Sequence, residues 1–161
     1  MDRPVEINMV VHIRRAGEAD LASLSTWSSA VNDAFRPAIA AGGHTVLVGR
    51  ANDRFPIAQM LVTFTSADKE VGVLSHLVVL GGFRGQGIGS ALLEEGHRLL
   101  KEAGRSMSQL AVEKDNVEAI RLYGRAGYEI CGESVETWPE PTPDGRVSPV
   151  DHPSWVMRKT L

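Results

Sequence analysis

The sequence predicts a mixed α/β domain of the α+β type, built on one central sheet with helices on both faces. Two observations lead to this prediction. Short apolar runs rich in Val and Leu recur along the chain between glycines, prolines and small polar residues, which is typical of strands. With the segments of helical periodicity, their order is strand, helices, three strands, helix, strand, helix, two strands. A run of strands followed by strand–helix alternation indicates a mixed sheet.

The predicted elements follow along the chain. A first strand is expected at residues 9–14, and a helix at residues 17–32 with Leu21, Leu24, Trp27 and Val31 on one side. Residues 33–43 contain Pro37 and paired glycines, so an irregular stretch is expected there, with room for a short second helix. Further strands are predicted at residues 44–50, 57–66, 73–80, 109–112, 128–138 and 155–161, and the main helix at residues 90–103.

Length and composition set the class of protein. At 161 residues, a single domain over residues 1–161 is expected, large enough for one hydrophobic core. A net charge of −3 gives no sign of nucleic-acid or anionic-membrane binding. Cys131 is the single cysteine and cannot form a disulfide within the chain, which suits a reducing, cytoplasmic location. No apolar run is long enough to span a membrane, so a membrane partner is not expected.

The most informative stretch is a glycine-rich turn between a strand and a helix. Residues 83–90 are FRGQGIGS, and the helix after them places Leu92, Leu93, Leu99 and Leu100 near one face. The first amides of a helix lack intrahelical partners and lie at its positive end, and glycines let a ligand approach them. A pyrophosphate is the expected ligand. The phosphate loop of nucleotide hydrolases is disfavoured because no Lys follows Gly87, and the dinucleotide pattern because the glycines recur at every second position.

Two motifs together indicate a family. Residues 84–89, after Val79, match the pattern R/Q-x-x-G-x-G/A at every position. A second pattern, N-x-x-A-x-x-x-Y-x-x-x-G-F/Y, is matched by Asn116, Ala119, Tyr123, Gly127 and Tyr128. The chain thus resembles the GNAT superfamily of acyl-CoA-dependent N-acyltransferases, whose fold has a mostly antiparallel central sheet. The resemblance implies acetyl-CoA as co-substrate, held by Leu77, Val78, Val79, Arg84, Gly85, Gln86, Gly87, Ile88, Gly89, Ser90, Asn116 and Tyr123.

The same resemblance implies how the chemistry is arranged. The strand ending at Val79 and the strand ending near Val112 separate, and pantetheine lies in the gap. The amide of Val79 or Leu80 stabilises the oxyanion, and Gly81-Gly82 permits a bulge at that point. Tyr123 is the expected general acid for the departing thiolate, in a direct attack through a ternary complex.

The general base stays open at this point. Ser75 occupies the strand position where several relatives carry an acidic or histidine base, and serine is not a general base. His76 is expected to point to the opposite face of the sheet. The other candidates are Glu113, Asp115, His44, Asp151 and His152. A metal site is not expected, because no His, Cys and carboxylate residues share ligand spacing.

The acceptor side is predicted only in outline. Residues 138–153 contain five of the 8 prolines and are expected to form a loop joining the last two strands, with residues 35–43 as a second wall. Its acidic residues are expected to suit a cationic amine: Glu136, Glu140, Asp144 and Asp151. Cations that could reach the ribose phosphate of the cofactor are Arg98, Lys101, Arg105, Arg121 and Arg125.

Three functions remain from the sequence. The first is N-acetyltransfer from acetyl-CoA to a primary amine of a small molecule or peptide; the sequence does not fix the oligomeric state, although relatives often form homodimers. The second is a non-catalytic acyl-CoA-binding sensor or interaction module, which the glycine turn would serve equally well. The third, a nucleotide-binding enzyme, is disfavoured by the missing Lys. Tyr123 favours the first.

Overall fold

The computed structural model describes residues 8–161, except for the side chains of residues 25–35. Its elements, named here in chain order, are β1 Val11–Arg15, α1 Glu18–Ala40, β2 His44–Ala51, β3 Phe55–Thr63, β4 Val71–Val79, α2 Ile88–Glu102, β5 Met107–Glu113, α3 Val117–Arg125, β6 Glu129–Pro141 and β7 Val147–Thr160. A short 3-10 turn, Gly81–Phe83, lies between β4 and α2.

The strands form one sheet in the order β1-β2-β3-β4-β5-β7-β6. Its neighbours are antiparallel except for β4 and β5, which run parallel. Helix α1 buries Leu21 and Leu24 against Val46 and Val48 of β2. Helix α2 packs on the other face, where Leu47 points, because successive strand residues alternate between faces. The predicted mixed, mostly antiparallel sheet with helices on both faces is confirmed.

The prediction for residues 33–43 was wrong. Helix α1 continues through Pro37 and ends at Ala40. A proline inside a helix removes one backbone hydrogen bond, but Pro37 lies close to the end of α1, where few turns remain to be disturbed. Gly42, with φ of 80°, then ends the helix in the left-handed conformation. Trp27 and Val31, which were predicted to share one side of the helix with Leu21 and Leu24, lie outside the range in which the structure describes side chains.

The prediction of a loop at residues 138–153 was also wrong. Strands β6 and β7 pair in one register from Gly132 to Pro141, opposite Val156 to Val147. Residues 134–154 thus form a two-stranded arm that extends beyond the end of β5. Thr142 N donates to Arg146 O, so the alternating ladder puts Pro141 at a position without cross-strand hydrogen bonds. Pro139 and Pro149 lie directly opposite each other and also occupy positions without cross-strand hydrogen bonds. Prolines are tolerated there because their nitrogens face outward.

A buried polar link joins the sheet to α2. The hydroxyl of Tyr128 lies 2.7 Å from His97 Nε2 on α2 and 2.6 Å from Ser108 Oγ on β5. All three residues are buried. Burial, followed by the positive charges of Lys159 and Lys101, lowers the pKa of His97 to about 4. The imidazole is therefore neutral at pH 7.

We predict that this histidine makes the fold acid-sensitive. Between about pH 6.5, the ordinary pKa, and about 4, the unfolded chain binds the extra proton, so the free energy of unfolding falls as pH drops. About 3 kcal/mol should be lost across this window. Denaturant unfolding at a series of pH values measures it. His97→Gln should flatten this slope, whereas His12→Gln, at an exposed position of β1, should keep it. An unaltered slope in His97→Gln would contradict the assignment.

Candidate active site

The two parallel strands separate soon after they meet. Strands β4 and β5 pair only from Val71 to Val73, opposite Met107 to Gln109, so the remainder of β4 has no partner on that side. Leu80 N donates to Ile57 O across the β3 side, at 2.9 Å. The alternation of an antiparallel ladder therefore turns the N–H and C=O of Val79 toward the gap. The gap that the family resemblance implied is present.

The same hydrogen bond corrects one prediction. Because the amide of Leu80 is occupied by β3, it is not available to an oxyanion. Val79 is left as the candidate donor at the end of β4. Its carbonyl already accepts a hydrogen bond from Arg84 Nε at 2.9 Å, which ties the glycine turn to the strand.

The bulge in β4 lies earlier than expected. Leu61 pairs with Ser75 and Gln59 with Val78, so two residues of β4 face one of β3. His76, with φ of 53°, is in the left-handed region at this bulge. Gly81 and Gly82, where the bulge was predicted, instead belong to the 3-10 turn. The expectation that His76 points to the opposite face of the sheet assumed strict alternation past Ser75. The extra residue of the bulge interrupts that alternation.

The glycine turn presents bare backbone at the start of α2. Gly85 and Gly87 have φ of 73° and 82°, a left-handed backbone conformation that residues with a side chain rarely adopt. Gly87 is the N-cap, and no side chain caps the helix, so its first amides, beginning with Ile88, are left for a ligand. Gly89 serves a different purpose, since a Cβ there would lie 3.2 Å from Leu122 of α3. The turn therefore combines an anion site with close packing of α2 against α3.

A cleft of about 920 Å³ lies between this turn, the end of β4 and α3. The predicted cofactor residues line it, with one exception: Gln86 borders a separate groove of about 260 Å³ beside Met9 and Val11. Whether they bind the cofactor stays a prediction. The residues lining the cleft are Leu77, Val78, Val79, Phe83, Arg84, Gly85, Gly87, Ile88, Gly89, Ser90, Asn116, Glu118, Ala119, Arg121, Leu122, Tyr123 and Arg125.

Two of the five basic residues that could reach the ribose phosphate of the cofactor line the cleft. Arg121 and Arg125 line it. Arg98 instead pairs with Glu95 and Glu102 along its own helix. Arg105 donates to the carbonyl of Lys69, and Lys101 is not among the lining residues. Sequence reasoning missed Phe83, Glu118 and Leu122 as lining residues; the i, i+3, i+4 spacing of 118, 121 and 122 on α3 was the available signal.

Two residues of the second motif, Asn116 and Tyr123, line the cleft. Asn116 caps α3, accepting from Ala119 N at 3.2 Å, and also lines the cleft, so both of its expected roles are compatible. Tyr123 is 9% exposed. Burial raises the pKa of Tyr123 to about 12, so its hydroxyl carries its proton throughout the neutral range. A protonated phenol at the wall of the cleft can act as a proton donor.

The candidate bases do not converge on the cleft. Ser75 Oγ lies 3.0 Å from His76 Nδ1, and neither lines the cleft. Glu113 lies 3.2 Å from His152 Nδ1, and His152 stacks on Trp138 with ring centroids 3.6 Å apart. The others lie elsewhere: His44 contacts Thr63, Asp151 accepts from Thr137, and Asp115 is exposed. No general base is assigned.

The β6–β7 arm has two chemically different faces. On β6, Ser134, Glu136, Trp138 and Glu140 alternate with more exposed residues and share the half-buried inner face. This face lies toward the separated strand ends: Glu140 is 3.2 Å from His152 Nε2, and Glu136 is close enough to His76 to influence it. Removal of water lowers the pKa of His76 overall, although Glu136 opposes the shift.

The four acidic residues predicted for the acceptor site therefore divide into two pairs. Glu136 and Glu140 face inward. Asp151 is exposed on the opposite face, and Asp144 lies at the tip, bonded to Thr142. The sequence predicted that these four residues make an acidic loop suited to a cationic amine; the segment is a pair of strands instead, and its suitability for a cationic amine stays a prediction.

The model of the acetyltransferase (GNAT) family matches residues 13–128, more than half of the chain. The chain therefore belongs to this family, whose members are acetyl-CoA-dependent acyltransferases. The resemblance predicted from the two motifs is confirmed.

Individual proteins are similar to the chain in sequence or in fold. An uncharacterised N-acetyltransferase of Methanocaldococcus jannaschii is 38% identical over 61 residues, which are 38% of this chain and 27% of that protein. The ribosomal-protein-alanine N-acetyltransferase of Brucella melitensis is similar in structure, with a TM-score of 0.71, 23% identity, and coverage of 93% of this chain and 99% of that one. A putative acetyltransferase from Salmonella typhimurium, solved with acetyl-CoA, has a TM-score of 0.70, 22% identity and 94% coverage of both chains.

None of the helices in residues 8–161 has the length and apolarity to cross a membrane. Among the side chains that the structure describes, no group of three His, Cys, Asp or Glu residues could hold a metal ion. The cytoplasmic location, the single-domain boundaries and the homodimer stay predictions.

We predict that Gly87→Ala weakens acetyl-CoA binding about tenfold or more. A left-handed φ costs an L-residue about 1–2 kcal/mol, and relaxing it would turn the first amides of α2 away from the pyrophosphate. Calorimetric titration with acetyl-CoA measures the change. The control is Gly82→Ala, outside the left-handed region and with no atom within 4 Å of the added Cβ, which should bind within about twofold of the unaltered chain. Equal affinities for the two variants would contradict the site.

Proposed function

We propose that the chain is an N-acetyltransferase that moves an acetyl group from acetyl-CoA to a primary amine of a small molecule or peptide. The single observation that carries the proposal is the cleft of the two motifs, where the end of β4, the glycine turn and Tyr123 face one space. Membership of the acetyltransferase (GNAT) family supports the same chemistry. Acetyl-CoA would supply a thioester, whose carbonyl carbon accepts the amine nitrogen and whose sulfur leaves as a thiolate.

The residues of the chain have distinct roles in this proposal. The bare amides at Ile88 and after it hold the pyrophosphate, and Arg121 and Arg125 add positive charge at the cleft wall. The N–H of Val79 donates to the thioester oxygen as negative charge develops there. The Tyr123 hydroxyl donates its proton to the departing sulfur, and the proton that the attacking nitrogen loses as it becomes an amide returns through solvent to the Tyr123 oxygen.

Direct transfer in a ternary complex is supported by what lines the cleft. Cys131, the single cysteine, is exposed on β6 and is not among the lining residues, so no thiol is placed to take the acetyl group first. The amine must arrive as the neutral base. For an amine with a pKa of about 10.4, deprotonation at pH 7 costs roughly 4–5 kcal/mol, and an α-amine with a pKa of about 8 requires much less.

We also propose that the acceptor carries positive charge in addition to its reacting amine. The support is the inner face of the β6–β7 arm, where Glu136 and Glu140 accompany Trp138 beside the separated strand ends. Carboxylates attract cations, and an aromatic face can hold an ammonium group.

Tyr123→Phe is predicted to lower kcat about a hundredfold while leaving acetyl-CoA affinity within about twofold, because only the proton donor is removed. Thiol release from acetyl-CoA with a panel of amines measures turnover, and titration measures affinity. Unchanged kcat would remove the acid role from Tyr123. Tight acetyl-CoA binding without thiol release for any amine would favour the alternative, a non-catalytic acyl-CoA sensor.

Glu136→Gln and Glu140→Gln are each predicted to raise KM for diamine acceptors about fivefold relative to monoamines, because each removes one negative charge from the inner face. The matched controls are Asp144→Asn and Asp151→Asn, which remove the same charge from the tip and the outer face. Both sets are assayed with a diamine and a monoamine of equal chain length. Equal effects in the two sets would refute a specific role for the inner face.

A further inference from the structure

The acid proposed above has a buried neighbour that the chemistry does not use. The ring of Tyr128 packs against the ring of Tyr123, with centroids 6.1 Å apart and planes at 63°, an edge contact typical of aromatic pairs. Tyr128 N also donates to Tyr123 O at 3.0 Å, so the two residues are linked by backbone as well as by side chain. Tyr128 is 3% exposed and does not line the cleft.

The hydroxyl of Tyr128 is a junction between elements. It bonds to His97 on α2 and to Ser108 on β5, while Tyr128 itself lies in the short connection between α3 and β6. These three elements meet around the cleft: α2 begins at the anion site, β5 forms one side of the strand gap, and α3 carries Tyr123. Packing alone needs only an aromatic ring, and the family pattern accepts Phe at this position. The buried oxygen therefore calls for an explanation beyond packing.

We propose that Tyr128 is a positioning residue, held by His97 and Ser108, that keeps the Tyr123 hydroxyl aimed into the cleft. The inference rests on the proposed acid role of Tyr123. Two hydrogen bonds with partners on different elements fix the position of the Tyr128 oxygen, and with it the direction of the long axis of the ring, since swinging the side chain away would leave buried polar atoms unpaired. The edge contact passes this orientation to the neighbouring ring. Proton donation is steeply sensitive to such placement, because errors of about 1 Å can cost a hundredfold in rate.

The protonation states are compatible with this link. Because the pKa of His97 is lowered to about 4, its ring is neutral and can either accept from or donate to the Tyr128 oxygen. Ser108 then takes the complementary role as donor or acceptor. Burial raises the pKa of Tyr128 as well, so this phenol also keeps its proton. The link thus persists across the neutral pH range.

The test is a double-mutant cycle with Tyr128→Phe and Tyr123→Phe, read as kcat and as KM for acetyl-CoA. Tyr128→Phe keeps the ring and removes the junction oxygen. Alone, it is expected to lower kcat about fivefold with KM for acetyl-CoA within about twofold. In the Tyr123→Phe chain, where no acid remains to be aimed, it should lower kcat no further.

The outcomes separate this inference from the proposed function. Equal loss from Tyr128→Phe in both backgrounds would show general packing and overturn the positioning role. A neutral Tyr128→Phe alongside a slowed Tyr123→Phe would overturn the positioning role and leave the acid in place. An unaffected Tyr123→Phe would remove the acid and the positioning role together.

A second variant guards against poor folding of Tyr128→Phe. Ser108→Ala removes one of the two bonds and leaves Tyr128 on His97, so it should show the same non-additive pattern with a smaller loss. The chain contains 2 tyrosines, so fluorotyrosine labelling gives one NMR signal for Tyr123 and one for Tyr128. Ser108→Ala is expected to shift or broaden the Tyr123 signal. An unchanged Tyr123 signal together with unchanged kcat would overturn the proposal.

Discussion

The parallel pairing between β4 and β5 ends after Val73, and the site depends on this early separation. One consequence is an open strand edge, on which the N–H of Val79 faces the gap instead of a neighbouring strand. A second is room for the glycine turn to begin α2 beside that edge, with bare amides at the start of the helix. A third is room for the β6–β7 arm to extend beyond β5 with its inner face toward the gap. If the pairing continued along both strands, the gap between their ends would close.

Local physics made the turn predictable. Its glycines, an apolar strand before it and a periodic helix after it are all encoded within one short stretch, and the left-handed φ of Gly85 and Gly87 agrees with their residue type. The end of α1 was not predictable in this way. Pro37 is usually a reason to end a helix, but its effect depends on how many helical residues follow it, and tertiary contacts decide that number.

The arm was missed for a related reason. A count of prolines suggested a loop, yet Pro139, Pro141, Pro149 and Pro153 all stand at odd positions, and this period of two suits the outward-facing nitrogens of a paired strand. The register of β6 and β7 also decides which carboxylates face the gap. The inward-facing residues of the acceptor side therefore could not be predicted before the pairing was known. The link from Tyr128 to His97 was equally hidden, because residues 31 positions apart share no local pattern. The two motifs therefore predicted the cofactor side of the site from sequence. The acceptor side and the Tyr128–His97 contact became visible only with the strand pairing and the packing of the helices.

We infer that the separated edge of β4 and the start of α2 together hold coenzyme A. Amide hydrogen exchange, with and without saturating coenzyme A, tests it most directly. With coenzyme A bound, new protection is expected at the amide of Val79 and at residues 88–90, with little change on the outer face of the arm at Thr137 and Asp151. Protection confined to other parts of the chain, with these amides exchanging as before, would contradict it.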